Sequence, residues 1–285
     1  MTLNTCANLG VESAEDIPEA LGVLEPLLAT AQASAIAVSG GVDSMTLTHV
    51  AMAVMPEKPV LFHAVSPAVP ARATARVREH AARHGWDLQV VDAGELRDPR
   101  YVGNPVNRCY FCKSNLYGFI RREWPGPLFS GANLDDLSDY RPGLNAAAEY
   151  GVRHPFVEAG VDKAAVRAIA RHLRLEDLSE LPAQPCLSSR IETGRPIDAK
   201  HLQLVDRVES QIREWLGPVD LRCRVRRLGL CLEVDSQVLP ALDPFVVQAI
   251  QRLCEREADG AGLHFVGIEG YVRGSAFVGE RDGNS

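Results

Sequence analysis

Short apolar runs alternate with helical patterns over the first two thirds of the chain. The apolar runs are β-type and predict strands at 34–39, 60–66, 87–93 and 127–133. The segments between and after them have helical patterns and predict helices at 44–55, 70–84, 109–124 and 162–174. Such alternation of strand and helix indicates an α/β fold, with a parallel sheet that carries helices on both faces.

The pattern changes after about residue 190. A long helix is predicted there, followed by two β-type runs, a further helix and a strand, at 198–216, 221–228, 230–235, 244–257 and 262–268. This order is typical of a smaller α+β domain. We therefore predict domains at 1–190 and 191–285, separated within a Pro/Ser/Gly-rich stretch, and expect the second to bind substrate or mediate oligomerisation.

Composition narrows the class of protein. The chain has 285 residues, of which 46% are hydrophobic, and 30 Lys+Arg against 37 Asp+Glu give a net charge of −7. A mildly acidic chain is a poor candidate for binding nucleic acid or a membrane surface. No apolar run reaches membrane-span length and the acidic N-terminus lacks a signal pattern, so we expect a soluble cytoplasmic protein. Seven cysteines, an odd number, argue against a disulfide framework in that compartment.

The sharpest local pattern is Ser39-Gly40-Gly41-Val42-Asp43-Ser44, which follows a β-type run and opens a helical one. Glycines let the backbone approach a phosphate, and a helix N-terminus offers free N–H groups. Ser39 and Ser44 add hydroxyl donors, and Asp43 either holds Mg²⁺ or caps the helix. The pattern lacks the Gly-Lys-Ser/Thr of a Walker A loop. The alternative is an ordinary Ser/Gly turn.

A second polar loop follows the fourth predicted strand. It contains Asn133, Asp135 and Asp136, and Asp139-Tyr140-Arg141 comes just after. Loops at the carboxyl ends of parallel strands build the ligand crevice. The paired carboxylates suit Mg²⁺ and Arg141 suits a phosphate. The alternatives are an Asp-rich turn and a surface arginine.

Three cysteines form the third candidate group. Cys109 and Cys112 are three apart, which places both thiols on one helix face, and Cys186 lies in a predicted loop near Arg190. We expect flanking Arg108 and Lys113, together with the helix N-terminus, to lower the thiol pKa values. Three such cysteines suit an iron–sulfur cluster with one open iron site, or a zinc ion. The alternative is two buried helix cysteines and an unrelated loop cysteine. The remaining cysteines lack partner spacing and are expected in the core or on the surface: Cys6, Cys223, Cys231 and Cys254.

Basic residues alternate along one β-type run of the second domain. Arg222, Arg224 and Arg226 therefore share one strand face, which suits an anionic phosphate. The alternative is a solvated edge strand whose charges prevent aggregation. Glu233 and Asp235 on the next run either balance these arginines or bind a metal.

His80 and His84 stand four apart on a predicted helix, the spacing of a zinc-ligand pair. No third ligand is evident from the sequence. We therefore interpret the two histidines as part of a solvated helix face.

Taken together, these motifs resemble those of the LarE-type ATP-dependent sulfur transferases, a family of the PP-loop ATP pyrophosphatase superfamily. The matching pieces lie between about residues 35 and 235, in the order SGGVDS, NRCYFCK, GANLDDLSDYRPG, EYGVRHPFVEAGVDKAAVRAIARHLRL, LPAQPCLSSRIETG and the R-x-R run before Leu232-Glu233. The resemblance implies an adenine nucleotide alpha hydrolase-like fold for 1–190. SGGVDS alone is evidence for the superfamily; its combination with the other pieces is specific to the family.

The resemblance also implies a reaction. Such enzymes adenylate a carboxylate of pyridinium-3,5-biscarboxylic acid mononucleotide with ATP and Mg²⁺, and a sulfur then displaces AMP to give a thiocarboxylate. The product leads to the nickel-pincer nucleotide. Members with a single cysteine, matching Cys186, give up its sulfur and leave dehydroalanine. Members with three cysteines, matching Cys109, Cys112 and Cys186, are thought to hold a [4Fe-4S] cluster that carries an extra sulfide, and this sequence fits that type.

The same resemblance assigns residues to roles. ATP is expected at Ser39, Gly40, Gly41, Asp43, Ser44, Asn133 and Arg141. The substrate phosphate is expected at Arg224, Arg226 and Arg190. A divalent cation is expected at Asp43, Asp135, Asp136 and Glu233.

Two other functions remain open from the sequence. One keeps the adenylation chemistry but thiolates tRNA or another small metabolite; the other is a non-catalytic adenine-nucleotide-binding protein. The acidic chain argues against tRNA, and the intact loop with its three cysteines argues against lost catalysis. The expected partners are a small nucleotide substrate and a sulfur donor, without nucleic acid or membrane, in a homo-oligomer.

Overall fold

Five short strands form a wholly parallel sheet, and three longer ones form a second, mixed sheet. The computed structural model describes residues 19–138, 141–217 and 219–271. The first sheet contains β1 Ala35–Ala37, β2 Val60–Ala64, β3 Leu88–Val91, β4 Leu128–Ser130 and β5 Val152–Arg153. The second contains β6 Leu221–Arg226, β7 Gly229–Val234 and β8 Phe265–Gly270.

Helices connect and cover both sheets. Those of the first part of the chain are α1 Glu19–Ala29, α2 Val42–Val54, α3 Ala71–His84, α4 Pro99–Val102, α5 Arg108–Glu123, α6 Asp135–Ser138, α7 Pro142–Glu149, α8 Pro155–Glu158, α9 Lys163–His172 and α10 Glu176–Ser179. The helices α11 Ala199–Leu216 and α12 Pro244–Gly260 pack on the small sheet. Short 3₁₀ turns occur at Glu95–Arg97, Leu187–Arg190 and Leu239–Ala241.

The strand order of the parallel sheet is β3-β2-β1-β4-β5. The chain builds outwards from β1 to β3, and then returns to the other side of β1 for β4 and β5. The order therefore reverses between β1 and β4, which are hydrogen-bonded neighbours. In open α/β sheets, ligands bind beside the carboxyl ends of the strands at such a reversal.

Alternating side chains of β1 feed two cores on opposite faces of the sheet. Ile36 packs with residues of α1, α2 and α9, whereas Ala35 and Ala37 pack with residues of α5 and α7. Each face is covered because successive strand residues point in opposite directions and both sets are apolar. A third core lies between the small sheet, α11 and α12, and it includes Tyr101 and Leu187 from the first part of the chain.

The structure confirms the predicted α/β class and the small α+β unit after it. The predicted strands and helices all occur, with ends that differ by a few residues. The sequence interpretation missed several elements, of which α1 and α7 are the longest. The division at residue 190 stays a prediction, since the third core draws residues from both sides of it.

Within the described part of the chain, no helix is both long and apolar enough to cross a membrane. Cys6 lies outside the described residues.

A buried ion pair joins the loop that carries Cys186 to the small sheet. Arg190 donates to both carboxylate oxygens of Glu209 on α11, through Nε at 2.8 Å and Nη2 at 3.0 Å. Its third nitrogen donates to the carbonyl oxygen of Pro185. Glu209 also accepts from the backbone N–H of Cys223 in β6 at 3.0 Å. In this structure the Arg190 side chain is 2% exposed and each guanidinium nitrogen has a partner inside the protein, and phosphate binding by Arg190 stays a prediction.

Removing one member of this pair tests its contribution. We expect Glu209→Ala to lower the free energy of unfolding by about 3–5 kcal/mol, because it leaves Arg190 buried without its counter-charge. The measurement is urea unfolding followed by circular dichroism. Glu79→Ala is the matched control, because Glu79 pairs with Arg83 at an exposed position and should contribute about 0–1 kcal/mol. Equal losses in the two variants would contradict this account.

The pair also makes stability depend on pH. Arg190 and Arg213 lower the pKa of Glu209 from its usual 4.5 to about 2 against the opposing effect of burial. A depressed carboxyl pKa stabilises the folded state above the unfolded value, and this stabilisation is lost as pH falls through the folded value. We expect the stability difference between the wild type and Glu209→Gln to be constant above about pH 5 and to shrink towards pH 2.

Candidate active site

The loop after β1 is closed by its two serines. Ser39 donates its backbone N–H to the hydroxyl oxygen of Ser44 at 3.0 Å, and the two hydroxyl oxygens lie 3.0 Å apart. The backbone N–H of Gly41 donates to the Ser39 hydroxyl at 3.3 Å. This network gives the loop one shape directly before the N-terminus of α2, where backbone N–H groups are available to an anion.

Gly40 is required by its backbone and by its neighbour. Its φ is +81°, and a Cβ there would lie 2.6 Å from the carbonyl oxygen of Ala73 in α3. Arg76, one turn further along α3, donates to the Gly40 carbonyl oxygen at 2.6 Å. The helix α3 therefore supports the loop from behind.

The predicted second loop meets the first at the strand reversal. A Cβ on Gly131 would lie 2.7 Å from the backbone nitrogen of Ser44, so the two backbones approach more closely than any other residue type allows. Asn133 is buried and donates to Asp43 Oδ1 at 3.1 Å. The two predicted ATP loops are thus in direct contact.

Lys163 is a site residue that the sequence interpretation missed. Its Nζ donates to both oxygens of Asp43, at 2.7 and 2.6 Å. Lys163 is the first residue of α9, where the positive end of the helix dipole disfavours a cation. That unfavourable position is the signal in the sequence from which it could have been found.

The carboxylates predicted to bind Mg²⁺ have protein partners. Asp136 pairs with Arg141 at 2.9 Å and accepts from the backbone N–H of Asn133 at 3.1 Å. Asp135 accepts from the backbone N–H of Lys163 at 3.1 Å. These contacts shape the loop, and magnesium binding by Asp43, Asp135 and Asp136 stays a prediction. Asp139 and Tyr140 lie outside the described residues.

Three segments bring the cysteines together. Cys109 and Cys112 lie in the first turns of α5, which packs against α7 so closely that a Cβ on Gly143 would lie 3.0 Å from Lys113 Cγ. Cys186 precedes the 3₁₀ turn. Two contacts hold that turn over the sheet: Leu187 donates its N–H to the Ala68 carbonyl oxygen at 2.8 Å, and Ser188 is hydrogen-bonded to the Tyr101 hydroxyl.

The predicted lowering of the thiol pKa values is wrong. Burial and the neighbouring Cys186 raise the pKa of Cys109, and they raise that of Cys112 to about 12. The charges of Arg108, Lys113 and Arg141 act to lower the pKa of Cys109, but burial and Cys186 outweigh them. Both thiols are therefore protonated at neutral pH, and each releases a proton when it binds a metal. The influence of Cys186 on both also shows that the three sulfurs share one environment.

The spacing of the three cysteines bears on the metal group that they could hold. In the described part of the chain, all three are free thiols, but their sulfur atoms do not all lie within 4.8 Å of one another. Sulfurs that share one tetrahedral zinc ion are about 3.8 Å apart, since the Zn–S bond is about 2.3 Å. The described arrangement therefore does not suit one zinc ion held by all three sulfurs, and a cluster at Cys109, Cys112 and Cys186 stays a prediction.

The segment that begins at Arg141 connects the second loop to α5. Arg141 pairs with Asp136 in that loop, and a Cβ on Gly143, two residues further on, would lie 3.6 Å from the carbonyl oxygen of Cys109. Burial lowers the pKa of His154, and its Nδ1 lies 2.8 Å from the Ser130 hydroxyl at the end of β4. Both loops and the start of α5, which carries Cys109 and Cys112, are therefore neighbours at the carboxyl edge of the sheet.

The arginine stripe is balanced by acidic residues, and Arg222 and Arg224 in it are buried. Arg224 and Arg226 donate to different oxygens of Glu233, at 2.9 and 2.6 Å, and Glu233 is 1% exposed. In this structure Glu233 therefore balances the two arginines, and its metal role stays a prediction. Asp235 accepts from the backbone N–H of Gln237 and caps the following turn. Arg222 is buried too and lies over the ring of Tyr271.

Arg224 also touches the cysteine loop. Its Nη1 donates to the carbonyl oxygen of Ser189 at 2.9 Å, three residues after Cys186. The stripe is therefore near the cysteines, and phosphate binding by Arg224 and Arg226 stays a prediction.

The chain is similar in sequence to known proteins. No protein-family model matches the chain. It is 40% identical over 198 residues to the uncharacterized protein slr1717 of Synechocystis. The aligned residues make up 66% of this chain and 71% of the relative. It is 26% identical over 192 residues to the uncharacterized protein MJ0830 of Methanocaldococcus jannaschii (66% and 72%). It is 28% identical over 200 residues to the pyridinium-3,5-bisthiocarboxylic acid mononucleotide synthase of Lactiplantibacillus plantarum (66% and 70%).

A substitution that adds one methyl group at Gly131 tests the contact between the two loops. We expect Gly131→Ala to lower the free energy of unfolding by about 1–3 kcal/mol, because the added Cβ meets the backbone of Ser44. Thermal or urea unfolding measures this. Gly22→Ala is the control: the space around Gly22 is open and the residue lies in α1, so alanine should stabilise by up to about 1 kcal/mol.

Proposed function

We propose that this chain, which belongs to a LarE-like protein family, is an ATP-dependent transferase. It inserts sulfur into a carboxylate of a nucleotide substrate. The observation that carries the proposal is the continuity of the site. The loops at the strand reversal suit a nucleotide, and the segment from Arg141 to Gly143 joins them to the helix that carries Cys109 and Cys112. Activation and sulfur delivery are then adjacent.

The first step activates the substrate. The backbone N–H groups around Gly41 and the start of α2 bind the phosphates of ATP. A substrate carboxylate oxygen attacks the α-phosphorus, a new P–O bond forms, the bond to the β-phosphate oxygen breaks, and pyrophosphate leaves. Lys163 places a positive charge beside Asp43, where it balances the carboxylate and attracts the triphosphate. Magnesium fits at Asp43, whose two oxygens already hold a cationic group in this structure.

The second step delivers sulfur. A sulfur nucleophile attacks the acyl carbon, the C–O bond to the phosphate breaks, and AMP leaves with the electron pair. If the sulfur is that of Cys186, the resulting thioester loses the Cα proton of Cys186, its Cβ–S bond breaks, and dehydroalanine remains. A [4Fe-4S] cluster held by Cys109, Cys112 and Cys186 would instead supply a soft sulfide. Arg108 and Lys113 beside these cysteines attract the anionic adenylate.

The substrate we propose is pyridinium-3,5-biscarboxylic acid mononucleotide. The L. plantarum relative is named for the corresponding bisthiocarboxylic product. A phosphate on the substrate suits Arg224 and Arg226, which approach the cysteine loop from the small sheet. Binding there requires the phosphate to share or replace the carboxylate of Glu233.

Removal of one carboxylate tests the nucleotide step. We expect Asp43→Asn to reduce release of AMP and pyrophosphate at least about 100-fold, a loss of about 2.7 kcal/mol in transition-state stabilisation. The assay follows both products from ATP with the biscarboxylic substrate. Asp87→Asn, at an exposed position after α3, is the control and should retain activity. Nucleotide binding without AMP release in the wild type would favour a non-catalytic nucleotide-binding protein.

Metal analysis with cysteine variants tests the sulfur step. We expect anaerobically prepared protein to hold about four irons with sulfide. Cys109→Ala should lose them, whereas Cys254→Ala, in the core of the small sheet, should not. Cys186→Ala should form the adenylate and AMP without thiolated product. Iron-free protein after reconstitution, with dehydroalanine at 186 by mass spectrometry after turnover, would instead identify cysteine-borne sulfur. Thiolated product from Cys186→Ala would contradict both routes.

A further inference from the structure

Three imidazoles converge on the side of the molecule where α2 packs against α3. His49 comes from α2, and His80 and His84 come from successive turns of α3. One nitrogen from each ring lies within 4.8 Å of the others. The ring of His49 is 5.1 Å from each of the other two, between centroids. The third histidine, His49, comes from a different helix, and the spacing of His80 and His84 in the sequence did not reveal it.

Asp177 fixes the chemical state of the central ring. His80 Nε2 lies 2.8 Å from Asp177 Oδ2, and a carboxylate oxygen can only accept, so Nε2 carries the proton. In the neutral ring, Nδ1 then presents a lone pair, and this atom lies 2.9 Å from His49 Nε2. A carboxylate that orients one nitrogen while the other faces a ligand is the usual outer shell of a metal-bound histidine.

The surroundings of the cluster favour neutral rings at His49 and His84. Burial and the two neighbouring histidines lower the pKa of His49 to about 4, and burial lowers that of His84 too. The charged neighbours are Arg83, which lowers both values, and Asp177, which raises that of His49. Neutral imidazoles have free lone pairs, so protons do not compete with a metal near neutral pH.

We propose that His49, His80 and His84 form a binding site for a zinc-class divalent ion, with three nitrogen ligands and a fourth position open to solvent. Three imidazoles suit Zn²⁺, and an i, i+4 pair on one helix places two of them on the same face. On binding, the ion loses waters, and the proton on His49 Nε2 moves to Nδ1 or to solvent. His84 is exposed and provides the entry path, while His80 is 1% exposed and held by Asp177.

An ion bound at these histidines would also affect the loop that holds Asp43. The helix α2 starts at the loop that holds Asp43, and α3 carries Ala73 and Arg76, which support Gly40. An ion bound by His49 and His80 therefore crosslinks the two helices that hold the loop in place. This role does not depend on which reaction the loop serves.

Zinc binding to the full-length chain tests the proposal. The three cysteines are first changed to serine, as Cys109→Ser, Cys112→Ser and Cys186→Ser, so that thiols beside the loops do not contribute. After chelation, titration with Zn²⁺ alone is followed by calorimetry. We expect one saturable equivalent of Zn²⁺ and a rise in melting temperature. Asp177→Asn should weaken binding about 10–100-fold. Added Co²⁺ should give the visible bands of a tetrahedral nitrogen site without a thiolate charge-transfer band.

Matched histidine variants decide the outcome. His84→Ala changes an exposed residue and should abolish the saturable equivalent without unfolding the protein, and His49→Gln should do the same. His264→Ala, at an exposed position outside the cluster, should bind as the parent does. Absence of saturable binding in the parent, or equal binding in the parent and His84→Ala, would overturn the proposal.

Discussion

The ion pair between Arg190 and Glu209 is the constraint on which the geometry of the site depends. It is buried on both sides, and through the Cys223 N–H it attaches the cysteine loop to the small sheet. A buried pair of this kind is weak evidence for high stability, because its desolvation offsets much of its attraction. Its value here is positional, because it holds the loop that carries Cys186 against α11 and β6.

The parallel sheet makes a second, independent contribution. The reversal of strand order puts the ends of β1 and β4 side by side, and glycines at 40 and 131 allow backbones to touch where side chains would separate them. Asn133 and Lys163 then compensate Asp43 from two further elements. The two loops predicted to bind ATP are thus shaped by backbone contact, and the charge of Asp43 is balanced within the protein.

Local sequence pattern was sufficient for most of the longer elements and for the first loop. The apolar runs that became β1 to β4, and the SGGVDS segment, carry their structure in consecutive residues. The side-chain contacts that escaped prediction join distant parts of the chain: Lys163 with Asp43, Glu209 with Arg190, and His49 with His80. The thiol pKa values failed for a related reason, since flanking charges can be read from the sequence but burial and the approach of Cys186 cannot.

The attachment of the cysteine loop has a consequence for how such a chain can be divided. Leu187 and Ser188 are held by Ala68 and Tyr101 of the first part, while Arg190 and Ser189 are held by Glu209 and Arg224 of the second. A chain cut near residue 190 would separate the loop from half of its anchors. The two sheets are therefore not interchangeable modules: a new second half grafted onto this first half would have to reproduce both contacts before Cys186 returned to its place.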